Sequence, residues 1–426
     1  MSTALLTDRY ELTMLGSALR DGTADRRCVF EVFARRLPDG RRYGVVAGTG
    51  RLIEALAEFT FDAPTIEMLH ATGVADDLTA EYLADYRFRG DIDGYPEGEL
   101  YFPYSPVLTV SGTFAEAVVL ETLALSVLNH DSAIAAAAAR MVTAASGRAV
   151  IEMGSRRTHE RAAVAAARAA YLAGFASTSN LEAARAYGVP TAGTAAHAFT
   201  LLHDDERAAF TAQVDALGKG TTLLVDTYDI THGIELAVEV AGPELGAIRI
   251  DSGDVGVLAR QAREQLDALG ARGTKIVVSG DLDEFAIAAL AATPVDAYGA
   301  GTAVVTGSGA PTAGMVYKMV EVDGRPVAKR SEHKATHGGR KTALRSHKPT
   351  GTAVEEIVCS RTDVEPADGE RLVQRPLVRG GAPVDYLPTL ADSREHLRAA
   401  MVTLPWDGLK LSRGEPAIPT RIVPAS

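Results

Sequence analysis

From Ala149 onward the sequence keeps a rhythm that few folds can accommodate. Short β-prone runs occur at Ala149–Glu152, Gly174–Ala176, Thr222–Asp226, Ala247–Ile250, Lys275–Val278 and Val295–Tyr298. Helical stretches separate most of them: Arg157–Leu172, Asp204–Leu217, His232–Val240 and Val255–Leu269. Strands alternating with helices at roughly 20–30-residue spacing read as βα units around a parallel sheet, because parallel neighbours need a crossover long enough to hold a helix. Such an array gathers its ligand-binding groups at the carboxyl ends of its strands. The turn after each run is therefore the place to look for chemistry.

The flanks lack this rhythm. Met1 to about Thr109 is mixed, with a helix near Glu11–Leu19, a strand at Cys28–Phe33, an amphipathic helix near Gly50–Glu58 and a turn-rich Gly90–Pro106. Gly112–Ser146 is Ala- and Leu-rich and helical. Beyond Gly314, Met315–Val322 and Pro326–Arg330 flank Asp323-Gly324, a hairpin signal. With no fixed-period repeat and no low-complexity linker, the mixed ends are expected to pack together beside a central barrel. A chain of 426 residues is long for one domain, so a large barrel with an appended domain fits its length. The net charge of −12 argues against a nucleic-acid binder or a basic membrane-surface protein. An anionic substrate would need basic groups gathered locally against that background. Cys28 and Cys359 have neither metal-ligand spacing nor a disulfide framework, which fits a reducing cytoplasm. Asp8 and Arg9 interrupt the N-terminus before a signal-peptide core could form, and the most apolar segment, Ala133–Ala139, is too short to span a bilayer. The expectation is a soluble cytoplasmic protein with no nucleic-acid or membrane partner.

The turns themselves are Met153-Gly154-Ser155-Arg156-Arg157, Phe175-Ala176-Ser177-Thr178-Ser179-Asn180, Gly193-Thr194-Ala195-Ala196-His197, Asp226-Thr227-Tyr228-Asp229, Arg249-Ile250-Asp251-Ser252-Gly253-Asp254, Ser279-Gly280-Asp281 and Tyr298-Gly299-Ala300-Gly301-Thr302. Singly each is weak, since Gly-rich turns are common. In a barrel all seven converge on one mouth. Helix capping explains Ser252 or Asp254, but not an Arg and an Asp on alternate positions of one strand end. Arg156, Arg157, Arg249 and Lys318 are candidates for fixed positive charge. Gly280-Asp281 and Gly299–Thr302 offer backbone N–H groups to phosphate oxygens. Asp251 and Asp281 suit vicinal ribose hydroxyls, or Mg²⁺ already carried on phosphates. No cluster offers a dedicated metal cage, and nothing resembles a Walker A loop. His197 is either a nucleophile toward phosphorus or a hydrogen-bonded histidine on the rim.

In this order the motifs resemble nicotinate phosphoribosyltransferase, of the type II phosphoribosyltransferases that also include the nicotinamide and quinolinate enzymes. The resemblance starts at Thr7-Asp8-Arg9-Tyr10-Glu11-Leu12-Thr13-Met14. It runs through Phe30-Glu31-Val32-Phe33-Ala34-Arg35, Glu121-Thr122-Leu123 and every turn above, to Ser331-Glu332-His333-Lys334 and Gly339-Arg340-Lys341. It implies an irregular TIM-like α/β barrel over residues 112–313. A second α+β domain would be built from residues 1–111 and 314–426, in a homodimer whose sites are completed across the interface. It also implies that nicotinate and phosphoribosyl pyrophosphate give nicotinate mononucleotide and pyrophosphate, coupled to ATP hydrolysis, with Mg²⁺ bound mainly through substrate phosphates. By the same resemblance His197 matches a transiently phosphorylated histidine. Tyr10 matches an aromatic stacking on the pyridine ring from the neighbouring subunit. Arg249 matches the arginine on nicotinate, with Arg156 and Thr194 close by. Asp251 and Asp281, with Gly280, fall where the family binds the ribose, and Gly301 with Thr302 where it binds the 5-phosphate.

Two positions depart from relatives. Ser179 stands where nicotinamide-specific members carry an aspartate, and a hydroxyl can donate to an acid that a carboxylate would repel. Met153 stands where many members have phenylalanine under the ring, and still supplies a polarisable contact. The basic segment Lys329–Lys348 reads as a solvated loop as readily as a phosphate site and is left out of the site. The alternatives are the nicotinamide or quinolinate enzyme on the same fold, and a non-catalytic metabolite-binding relative.

Overall fold

The computed structural model describes residues 2–329 and 337–424. Its contacts divide the chain into two units, residues 137–311 and residues 1–136 with 312–426.

The first unit holds a six-stranded parallel sheet: β1 (Ala149–Glu152), β2 (Ser177–Thr178), β3 (Thr222–Leu224), β4 (Ala247–Ile250), β5 (Lys275–Gly280) and β6 (Ala297–Ala300). The spatial order is β2-β1-β6-β5-β4-β3. The last strand therefore pairs back onto the first, Ala297 opposite Ala149 and Ala300 opposite Glu152. Among the described residues the ladder is open between β2 and β3, where the run after Val189 contributes one bridge, Thr178 to Thr191, rather than a strand. Helices Glu160–Leu172, Ile230–Ala241, Val255–Ala268 and Glu284–Ala289 connect successive strands, and three helices fill the β2–β3 connection. Along β4, Ile248 and Ile250 are fully buried, while Arg249 and Asp251 share the opposite parity.

Two strands shift from their expected places. The run at Gly174–Ala176 forms only the approach to β2, because Gly174 (φ +116°) turns the chain out of its helix before pairing begins. The run from Val295 starts pairing two residues later and extends to Ala300, where Met153 N–H donates to the Ala300 carbonyl (2.8 Å).

The other unit interleaves both ends of the chain. Arg27–Ala34 lies antiparallel between Met315–Val322 and Leu108–Thr113, within a seven-stranded sheet that also takes in Asp91–Gly94 and Arg375–Arg379. The turn-rich Gly90–Pro106 stretch thus contains short strands. Asp323 (φ +49°) and Gly324 (φ +72°) form the expected hairpin turn, both in the left-handed region that such turns require. The expected domain start at Gly112 falls inside the strand Leu108–Thr113, and the contact boundary lies at Ala136/Ala137 instead. Ala133–Ala139 belongs to the 25-residue helix Glu121–Ala145 and is almost wholly buried. By length and composition alone Phe114–Ala145 could cross a bilayer, but most of it is buried inside the protein, as in a core helix.

The described part of Lys329–Lys348 is not a solvated loop. Lys341 is buried and donates to buried Glu31 (2.7 Å), and Arg345, 1% exposed, bridges Glu99 (2.5 Å) and Glu356 (2.8 Å). Buried carboxylates draw these cations inward: Glu31 and Glu99 from far away in the chain, and Glu356 from the strand paired with that of Arg345. Ser331-Glu332-His333-Lys334 lies outside the described residues, as does Arg330 of the expected hairpin.

Candidate active site

A cavity of about 360 Å³ opens at the carboxyl ends of the parallel strands. Met153, Ser155, Arg156, Ser179, Ala192–His197, Arg249 and Asp251 line it. Each residue arrives by the same device, a polar turn at the end of an apolar strand. Loop 192–197 enters at the seam between β2 and β3, where no strand occupies the space.

Arg249 is the central cation. Its Nη1 donates to the Thr194 hydroxyl, while its Nε is buried with no hydrogen-bond partner. Burial holds the guanidinium below its ordinary pKa, opposed by Asp251 and Asp226 and assisted by Arg156. A desolvated guanidinium with an unused donor suits a planar anion. Arg156 is exposed on the rim and adds a second positive charge. Arg157 is exposed and does not line the cavity.

Asp251 accepts a hydrogen bond from the Ser279 hydroxyl. Its backbone N–H donates to Asp226 Oδ2 (2.8 Å), as does the Ser252 hydroxyl (2.8 Å). Asp254, not Ser252, caps the following helix through the Val257 N–H. Asp226 is the residue beside this group that sequence reasoning did not single out. Its side chain is 1% exposed, and its Oδ1 has no hydrogen-bond partner while lying 3.9 Å from His197 Nε2. The signal was available, since Asp226 ends the apolar run Thr222–Asp226 at the same point where Asp251 ends its own. His197 opens the helix His197–Leu202, is 41% exposed, and places Nδ1 3.1 Å from the Thr227 hydroxyl. It thus stands between a buried carboxylate and open cavity.

The floor rests on a glycine. A Cβ at Gly299 would lie 2.8 Å from Met153 Sδ and 3.0 Å from Ser279 Cβ, so any larger residue would displace the Met153 side chain from its present position. Buried Glu152, whose pKa burial raises, accepts from the Gly154 N–H and the Thr178 hydroxyl and ties the ends of β1 and β2 together.

Gly280 ends β5, Asp281 follows it, and Gly301 and Thr302 follow β6, but none of the four lines the cavity. Gly280 (φ +125°) adopts a backbone that favours glycine. Gly301 precedes a short helix that begins at Thr302. Tyr10 and Lys318 belong to the other unit. Tyr10 is 46% exposed in the first turn of the helix Arg9–Asp21, and its pKa is raised by burial and by Glu121. Lys318 Nζ donates to the Tyr317 carbonyl (2.6 Å) and lies 3.4 Å from Glu121. Among the described residues, no group of three or more His, Cys, Asp or Glu side chains could hold a metal ion.

Comparison with known proteins bears on this arrangement. Residues 5–129 match the nicotinate phosphoribosyltransferase (NAPRTase) N-terminal domain, and residues 149–353 match the nicotinate phosphoribosyltransferase (NAPRTase) family. Nicotinate phosphoribosyltransferase pncB1 of Mycobacterium tuberculosis is 66% identical over 99% of this chain and 95% of its own. The crystal structure of human nicotinic acid phosphoribosyltransferase superposes with a TM-score of 0.84 at 26% identity, covering 98% of this chain and 97% of the human one. That of nicotinate-nucleotide pyrophosphorylase from Pyrococcus furiosus gives 0.78 at 26% identity, over 93% and 94%.

Proposed function

The chain belongs to the nicotinate phosphoribosyltransferase family, and we propose that the cavity at the ends of β1, β2 and β4 is where it joins nicotinate to the phosphoribosyl group of phosphoribosyl pyrophosphate. The enzyme serves NAD salvage. The observation that carries the site assignment is Arg249, a half-buried arginine with an unpaired Nε that lines a cavity of about 360 Å³. In this reading Arg249, positioned by Thr194, holds the nicotinate carboxylate. Met153 lies against the ring, and Ser179 and Arg156 complete the acid pocket.

The chemistry asks for little proton transfer. The pyridine nitrogen carries a free lone pair at neutral pH and attacks C1 of the ribose. The C1–O bond to pyrophosphate breaks, and its electron pair leaves with the pyrophosphate. What the protein supplies is alignment and stabilisation of a cation-like C1, each typically worth several kcal/mol. Asp251, fixed by Ser279 and Asp226, meets the ribose hydroxyls. Gly280, Asp281, Gly301 and Thr302 receive the ribose and its 5-phosphate from the adjoining strand ends. Mg²⁺ would enter on the substrate phosphates and supply charge neutralisation there, with Asp251 and Asp281 as the available carboxylates.

ATP enters through His197. A bond forms from the imidazole nitrogen to the γ-phosphorus, and the bond to ADP breaks with its electron pair leaving on ADP. Asp226 steadies the imidazole, which becomes cationic as the phosphorus bond forms. We further read the parallel sheet, with β6 returning to β1, as an irregular TIM-like barrel. The working form is a homodimer in which Tyr10 of one subunit covers the ring bound in the other. Exposed Leu5, Leu6 and Tyr10, together with Leu181, Leu201, Leu202 and Tyr228 on the strand-end side of the sheet, supply the apolar surface such an interface needs. Two buried, unpaired thiols fit a cytoplasmic enzyme.

Rates of nicotinate mononucleotide formation with and without ATP-Mg test the ATP step. The parent enzyme should be strongly stimulated and His197→Ala should not. A His197→Ala enzyme that kept full stimulation would remove His197 from the ATP step.

A further inference from the structure

One lining residue has a hydrogen-bond polarity that its neighbours dictate. Asn180 caps the helix Leu181–Tyr187, its Oδ1 accepting from the Ala183 N–H at 2.9 Å. That contact fixes which end of the amide faces which way, so Nδ2 must point to Ser155 and donates to its Oγ at 3.0 Å. The Ser155 hydroxyl is therefore an acceptor toward the protein. This is its one hydrogen bond among the described residues, and the residue lines the cavity. Its hydrogen is left for whatever occupies the cavity.

Asn180 is itself held from below. Its backbone N–H donates to Thr178 Oγ1 (3.0 Å), and the Thr178 hydroxyl donates to Glu152 Oε2 (2.5 Å), a carboxylate that is 1% exposed. A chain of oriented hydrogen bonds thus runs from the buried end of β1, through the end of β2, to a hydroxyl at the cavity wall. The Thr178 contact anchors the Asn180 main chain, and the Ala183 N–H sets the direction of its amide.

We propose that Ser155, oriented by Asn180, is a specificity-determining donor that favours an acid over its amide in this cavity. The inference rests on the reading of this cavity as the nicotinate site. A carboxylate presents only acceptors, so it satisfies the Ser155 hydrogen and the Arg249 donors together. An amide matches one donor with its carbonyl and turns an N–H toward the other, which leaves polar groups mispaired. Ser155 is the group that touches substrate, and Asn180 is a positioning residue.

The test reverses the polarity without disturbing the fold. Asp is as good a helix cap as Asn, so Asn180→Asp keeps the Ala183 contact. Its carboxylate, however, must accept from Ser155, turning the hydroxyl hydrogen away from the cavity. Steady-state constants for nicotinate and nicotinamide would be measured for the parent, Ser155→Ala, Ser155→Thr, Asn180→Asp and the Ser155→Ala/Asn180→Asp double variant. Ser155→Ala should lower the nicotinate-to-nicotinamide ratio of kcat/KM roughly tenfold, mostly through KM, and Ser155→Thr should restore it. Asn180→Asp should lower the ratio further, and most of that loss should vanish in the Ser155→Ala background. An equal effect of Asn180→Asp in both backgrounds would mean that it acts by charge alone and would overturn the inference. So would an unchanged ratio in Ser155→Ala. If the parent makes no nucleotide from nicotinate, the reading of the cavity fails instead, and the two failures are distinct.

Discussion

At the scale of single residues, the site is an arrangement of charges whose pairing is deliberately incomplete. Arg249 keeps a free buried Nε, and Asp226 keeps a free buried Oδ1 beside His197. Buried polar groups are almost always satisfied, so orphans at and just behind a cavity wall are candidates for pairing with a ligand or a charged intermediate. Asp226 carries the sharper consequence. Asn at this position keeps an oxygen acceptor for the Asp251 N–H and Ser252, but removes the negative charge near the imidazole. Asp226→Asn should reduce stimulation by ATP roughly tenfold or more while changing the ATP-independent rate much less. Rates measured with and without ATP-Mg check this, and equal loss in both would reduce Asp226 to a turn-holding role. Arg249, Asp251 and His197, which line one cavity, stood out in the sequence, the first two by their turn and His197 through the family resemblance. Asp226 was not singled out, because its role depends on two neighbouring strand ends meeting around it, which no local pattern encodes.

At the scale of elements, the strand–helix rhythm located the sheet but not its ladder. Alternation of apolar runs and helical stretches placed five of the six strands and ended just short of β2, since burial of β-prone residues between helices is written locally. The order is set by long-range pairing. Only the structure shows β6 returning to β1 and the open seam at which loop 192–197 reaches the cavity. Close packing between strand ends depends on two glycines whose tolerance differs. At Gly299 an added Cβ would press on the flexible Met153 Sδ, whereas at Gly154 it would lie 2.2 Å from Val305 Cγ1 and 3.0 Å from the Gly301 carbonyl. Gly154→Ala should cost about 1–3 kcal/mol of stability. Gly299→Ala should cost less but raise KM for nicotinate, because Met153 is displaced from the cavity floor. Thermal unfolding paired with steady-state kinetics separates the two, and a stable Gly154→Ala protein would contradict the packing argument.

At the scale of the whole molecule, the two ends of the chain share one unit, which contains buried charges that no local pattern marks as interior. Arg345 joins Glu99 to Glu356, and Arg371 and His396 also reach Glu99. Burial would raise the Glu99 pKa, but these cations outweigh it and hold the carboxyl well below the ordinary range. The stability Glu99 contributes is therefore present above the usual carboxylate pKa and lost as pH falls below it. A run of basic residues in sequence gave no sign of this, because Glu99 lies far away in the chain and Glu356 meets Arg345 only once their two strands pair. The central claim concerns the other unit: one cavity, built from strand ends and lined by a desolvated arginine, selects a pyridine monocarboxylic acid. The direct measurement offers nicotinate, nicotinamide and quinolinate separately with phosphoribosyl pyrophosphate, each with and without ATP-Mg. The account predicts mononucleotide from nicotinate, strongly enhanced by ATP, and little from the other two. Preferred use of nicotinamide or quinolinate, or no product from any of the three, would contradict it.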